Sequence, residues 1–261
     1  MTIAPRAAIA ALALFITVAQ ASAAADFTAV TRSEGAGGQS MARANTTVNG
    51  RVDGDKGRLD YIEGGLGSLP KGSIVVTTDG GRSAKLYRTT NDNESCGDLP
   101  LPGTPATGMR AQAVALTRFE NIHVDKTLDE NGGKLHGAAT RHLRYAVSYD
   151  SRSADAAAKP VHTTLDLEVW VAPSLSDAAY ALALASAPHT GNPDADHQIA
   201  AAMPEAVGAA LKRVQRTTLA AAGGEPRKLT TTMEVTKLSL RKQSAKSLAP
   251  PFDCRIGPSP Q

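Results

Sequence analysis

Between Val161 and Val171 apolar and polar side chains alternate without a break, and a period of two is the signature of a half-buried strand. Val161, Thr163, Leu165, Leu167, Val169 and Val171 share one face, and His162, Thr164, Asp166, Glu168 and Trp170 share the other. The same period places Leu143, Tyr145, Val147 and Tyr149 opposite Arg144, Ala146 and Ser148. It returns in Leu229, Thr231, Met233 and Val235, then slips to Leu238 and Leu240, which predicts a β-bulge near Lys237. Weaker strands are expected over 27–32, 41–48, 58–62, 73–78, 84–88 and 109–124. Asp53-Gly54-Asp55-Lys56-Gly57, Asp79-Gly80-Gly81, Asn131-Gly132-Gly133 and Gly223-Gly224 supply the turn chemistry between them. About ten or eleven short strands joined this way predict a mainly β fold, a sandwich or a barrel. A parallel α/β sheet would need helices that the first 170 residues lack.

Helical spacing enters as one insertion. Ser174 is the expected N-cap, with Leu175, Ala178, Ala179, Leu182 and Ala183 repeating behind it. A second helix is expected from Asn192-Pro193, carrying Ile199 and Met203 and stopped by Pro204. Strand resumes at about Leu211. Residues 91–108, with Pro100, Pro102 and Pro105, read as an irregular loop, and 249–261 as an irregular proline-rich tail.

The N-terminus gives a compartment. Arg6 precedes an apolar run from Ala7 to Ala19, closed by Ala21-Ser22-Ala23-Ala24-Ala25, in the order of a secretory signal peptide cut after Ala23 or Ala25. The run is short of the ~20 residues that span a bilayer. No cysteine lies near the cut to carry a lipid anchor, so a periplasmic or secreted product is expected. Two cysteines remain, Cys96 and Cys254. In an oxidising compartment such a pair favours a structural disulfide, with free thiols or intermolecular pairing as the alternatives. The layout becomes a signal peptide at 1–25, one β domain at 26–250 with a helical insertion at about 174–209, and a tail at 251–261.

The residue pattern argues against most chemistries. The sequence has 28 Lys+Arg against 25 Asp+Glu, and loss of Arg6 with the signal leaves 27 against 25, a net +2 with no polybasic block. Neither a nucleic-acid partner nor an electrostatic membrane surface is expected. The six histidines fall in no HExxH or His-x3-His spacing, so no metal is expected. No Gly-x-Ser-x-Gly elbow, Cys-x-x-Cys pair or phosphate loop appears, and the chain reads as a non-enzyme without a cofactor. Trp170 stands on the polar phase just before the insertion, where it either packs beneath the helices or lines a cavity under them.

The order of several short pieces carries a resemblance. Arg51-Val52-Asp53-Gly54-Asp55-Lys56-Gly57-Arg58-Leu59-Asp60-Tyr61 resembles a hairpin of DUF4412-type exported proteins, and Pro70 to Arg82 resembles their next strand and Asp-Gly-Gly turn. Arg141 to Tyr145, Glu168 to Pro173, Gly208 to Arg213 and Ser247 to Phe252 follow in the family's order, the last with Phe and Pro exchanged. That family is similar in turn to LolA/LolB-type periplasmic lipoprotein carriers. The resemblance implies a curved antiparallel sheet, an open half-barrel, with helices as a lid. An acyl chain, lipid or lipidated peptide would then lie against Leu143, Tyr145, Val147, Leu165, Leu167, Val169 and Trp170. A structural or protein-interaction module of the envelope, pairing through exposed sheet edges, is the competing expectation.

Overall fold

A computed structural model describes residues 24–35, 45–64, 69–99, 117–153, 159–186, 190, 192–221 and 223–254. The expected signal core, the strand positions at 41–44 and 109–116, and the last seven residues of the tail lie outside the described residues.

Eleven antiparallel strands form one sheet that does not close into a barrel. They are β1 (Ala25–Glu34), β2 (Thr46–Asp53), β3 (Lys56–Glu63), β4 (Ile74–Thr77), β5 (Lys85–Thr90), β6 (Asn93–Asp98), β7 (Thr117–Leu135), β8 (Ala138–Ser153), β9 (Val161–Val171), β10 (Ala210–Ala221) and β11 (Arg227–Ser239). Their order across the sheet is β6-β5-β4-β3-β2-β1-β11-β10-β9-β8-β7. Two meanders, β1–β6 and β7–β11, are therefore joined where the first strand meets the last. The expected bulge is present: Thr28 pairs with Lys237 and Ala29 with Val235, leaving Thr236 as the extra residue.

One face carries the core. Phe27, Val48, Val52, Leu59 and Val75 from the first meander join Leu143, Leu167, Val169, Met233 and Val235 from the second. Phe27 lies across Gly50 on the neighbouring strand so closely that a methyl group there would run into its ring.

The insertion covers this face. It comprises a 3-10 turn (Pro173–Ala178), α1 (Ala179–Ser186), α2 (Pro193–Ala202) and a second 3-10 turn (Pro204–Val207). Leu175, Ala178, Ala181 and Leu182 point into the core. α1 has eight residues, about 12 Å of helix, yet it touches β3 and β10 as well as β2 and β1 between them. In a flat sheet those outer strands would stand about 19 Å apart, so the sheet wraps around the helix.

Three expectations need correction. Residues 93–98, expected in a loop, form β6, and Asn91 and Asp92 take φ 48° and 64° in a two-residue turn after β5. Asn131-Gly132-Gly133 does not reverse the chain. It bulges within β7, and the reversal comes at His136-Gly137, with φ 49° and 81°. The first helical turn starts at Pro173 with Ala172 as N-cap, because proline at N1 supplies the starting φ without Ser174. A further helical turn, α3 (Ala245–Leu248), capped by Ser244, stands just ahead of the expected irregular tail. Asn192 caps α2 as expected, accepting from the amides of Asp194 and Ala195.

Candidate functional site

Six of the seven expected ligand-facing residues stand together. Leu143 pairs with Val169, Tyr145 with Leu167, and Val147 with Leu165, three rows across β8 and β9. All six are buried on the helix-covered face, and they pack in one cluster with Leu175, Leu182 and Met203 of the insertion. The same face continues along β10 and β11 into Gln215, Thr217, Leu229 and Thr231, which are half-buried, and Leu219, which is 39% exposed.

Trp170 is the seventh, and it neither packs beneath the insertion nor lines the covered face. The period of two sends it to the outer surface. There its indole stacks on His142 with ring centres 4.2 Å apart, and Lys212 Nζ lies 5.0 Å from its centre. Glu130, His142, Trp170 and Lys212 form one row across β7–β10. The next two rows are cross-linked diagonally, Arg144 to Asp166 at 2.7 Å and Arg216 to Glu168 at 2.6 Å. Hydrogen bonding from Arg144 and Arg216 holds the Asp166 and Glu168 carboxyls below their usual range. This outer surface is a polar ladder that stiffens the wall behind the apolar rows.

Two polar latches hold the insertion down. At its start, Tyr180 on α1 lies over Gly57 and Gly81 and donates from its hydroxyl to the Gly54 carbonyl at 3.1 Å. Burial pushes its phenol pKa well up. The two glycines matter because a Cβ at either position would crowd the ring, at 3.0 and 2.9 Å. At its end, Glu205 accepts from the Tyr145 hydroxyl at 3.0 Å and from Lys126 at 3.3 Å. Lys126 also donates to Asp129 at 2.9 Å, and Asp129 binds Arg141. Burial, then the bond to Glu205, raises the Tyr145 phenol to about 12. The bonds from Tyr145 and Lys126 lower the Glu205 carboxyl.

The opposite end of the sheet is tied covalently. Cys96 on β6 is bonded to Cys254, with Cα atoms 5.7 Å apart and a sequence separation of 158. The strap leading to Cys254 crosses the outer side of β2–β6. Asp53 accepts from the Gln243 amide at 3.1 Å, Arg58 donates to the Ala249 carbonyl at 2.7 Å, and Phe252 meets the Tyr87 ring edge-on at 5.3 Å. Leu248 is buried beneath it.

Among the described residues no three His, Cys, Asp or Glu side chains are arranged to hold a metal ion. No helix among them is long and apolar enough to cross a membrane. Comparison with known proteins finds no matching family model, no matching curated protein and no matching solved structure.

Proposed function

We propose that the protein is an exported, non-catalytic carrier for an apolar ligand: an acyl chain, a lipid or a lipidated peptide. One observation carries this reading. The apolar rows of β8 and β9 lie under helices held at both ends by polar contacts and continue, on the same face, to positions outside the helices' cover. Breaking the Tyr180 and Glu205 latches lets the insertion lift as a lid and uncovers Leu143, Tyr145, Leu167 and Val169. An acyl chain laid there gains about 0.8 kcal/mol per buried methylene. Kinship with the DUF4412-type and LolA/LolB-type proteins belongs to the same proposal and rests on the ordered motifs and the unclosed sheet. Export rests on the N-terminal signal pattern. Ala25 is buried as the first residue of β1, which favours a cut after Ala23.

The test is native mass spectrometry of protein purified from periplasm, followed by organic extraction. A bound mass that extracts as lipid, and is absent from Leu167→Glu protein that still folds, is the expected result. A mass that stays bare after incubation with fatty acids and phospholipids removes the carrier reading. What then gains weight is an envelope interaction module. It is favoured by β7, whose 19 residues have a strand neighbour on one side alone among the described residues.

A further inference from the structure

The C-terminal strap, residues 240–254, buries very little of itself. Leu248 is its one buried side chain, and most of the rest is exposed. What it covers is separate from the inner core. Val75 and Leu86 pair on the inner phase of β4 and β5, so the buried Val76 and Tyr87 beside them face outward. Neither they nor Leu248 belongs to the cluster built on Phe27, Leu143 and Val169.

The ties that accompany the disulfide are modest. Arg241 meets Asp26 in an exposed ion pair, and such pairs contribute little. Beyond it come the Gln243 amide on Asp53, Arg58 on the Ala249 carbonyl, and Phe252 against Tyr87. Ordering the strap costs backbone entropy at every residue, and one leucine with a few partly exposed hydrogen bonds offsets little of that. Cys96 and Cys254 are themselves half-buried and flanked by the exposed Ser95, Gly97 and Asp253, which leaves an attacking thiolate an approach.

We propose that the Cys96–Cys254 bond is a redox latch: its reduction by an external dithiol releases residues 240–254 from the outer side of β2–β5 and uncovers Val76 and Tyr87, while the sheet and the helical insertion stay folded. The proposal goes beyond the carrier reading and does not depend on it. One thiolate of the dithiol attacks a sulfur of the bond, forming a mixed disulfide and expelling the other cysteine as thiolate. The second thiol of the dithiol then displaces the remaining cysteine and closes its own disulfide. Two electrons and two protons pass from the dithiol to the cysteines.

The test treats the oxidised full chain with dithiothreitol at pH 7.5 without denaturant, traps thiols with iodoacetamide, and follows amide exchange by mass spectrometry. Both cysteines are expected to become alkylated. Peptides carrying the Gln243 and Ala249 amides should then exchange about tenfold faster or more, while those of β8 and β9 stay protected over the same minutes. The Cys96→Ser/Cys254→Ser double variant should show the open strap without reductant. Alkylation that requires urea overturns the latch and leaves a buried structural cross-link. Unchanged strap exchange after full alkylation overturns it as well, since the other ties would then hold alone. Loss of protection throughout the sheet on reduction overturns a local release, and the dithiothreitol arm decides this even if the double variant fails to fold.

Discussion

The two ends of the sheet are secured by opposite means. At β6 a disulfide, an aromatic contact and a buried leucine clamp the C-terminal strap to the outer surface. At β7 the ties to the insertion are the Tyr145 phenol and the Lys126 ammonium on the Glu205 carboxylate, with Asp129 bonded to Lys126 and Arg141 behind them. The first set is indifferent to pH and sensitive to reductant. The second is indifferent to reductant and sensitive to pH. Among the described residues each end also carries an edge strand, and the two differ. β6 is short, while β7 is long and interrupted by three register shifts.

The largest effect should come from the clamped end. Cys96→Ser, or reduction, removes a 158-residue cross-link and should cost about 4–5 kcal/mol in the chain-entropy model, read as a fall in the urea midpoint. An unchanged midpoint would mean the strap's other contacts suffice alone. Leu167→Ala tests the core shared by both ends. It should cost about 2–5 kcal/mol by chemical denaturation, and less than that would signal a loosely packed inner face. Tyr145→Phe removes one bond of the β7 latch and should cost about 1 kcal/mol globally. Its sharper readout is faster amide exchange in α1 and α2 with β1–β6 unchanged. Uniform acceleration would contradict a separate latch.

Acid probes the same contrast. Asp129, Glu205, Asp166 and Glu168 titrate below the ordinary values of 3.8 and 4.5 when folded. Their contribution is complete above those values and is lost as pH falls through the lower folded ones. Thermal stability should therefore decline between about pH 5 and pH 2, with exchange rising first around α2 and β7. The smallest effect is expected on the outer ladder, where Arg144→Ala should leave the urea midpoint nearly unchanged because half of its side chain faces water.

Where burial is one-sided, the sequence announces the structure. β8 and β9 alternate cleanly because one face meets the core and the other meets solvent, and the slip at Val235 to Leu238 exposes the bulge directly. β6 was illegible for the converse reason. Asn93-Glu94-Ser95-Cys96-Gly97-Asp98 is largely exposed on both faces, so no alternation records it, and pairing with β5 holds it in place. The turn at His136-Gly137 was hidden by a better-looking candidate at Gly132-Gly133, where Gly132 instead lets β7 pass close to Thr140 and Trp170. Trp170 itself was readable, since it shares a phase with Asp166 and Glu168, and the adjacent insertion drew it to the wrong face. The partners of Tyr180 and Glu205 are 126 and 60 residues away, and no local pattern connects them.

The pairing of β1 with β11 has a consequence in time. Asp26 meets Ser239 and Glu34 meets Thr230, so this seam joins the two extremes of the chain. Each meander can assemble from neighbours in sequence, but the two can be sewn together only when the final strand is available, and contacts of such separation form slowly. A polypeptide emerging N-terminus first would present β1 with one side open throughout its synthesis or passage. Commitment to the folded state is thereby deferred until β11 is available to pair with β1.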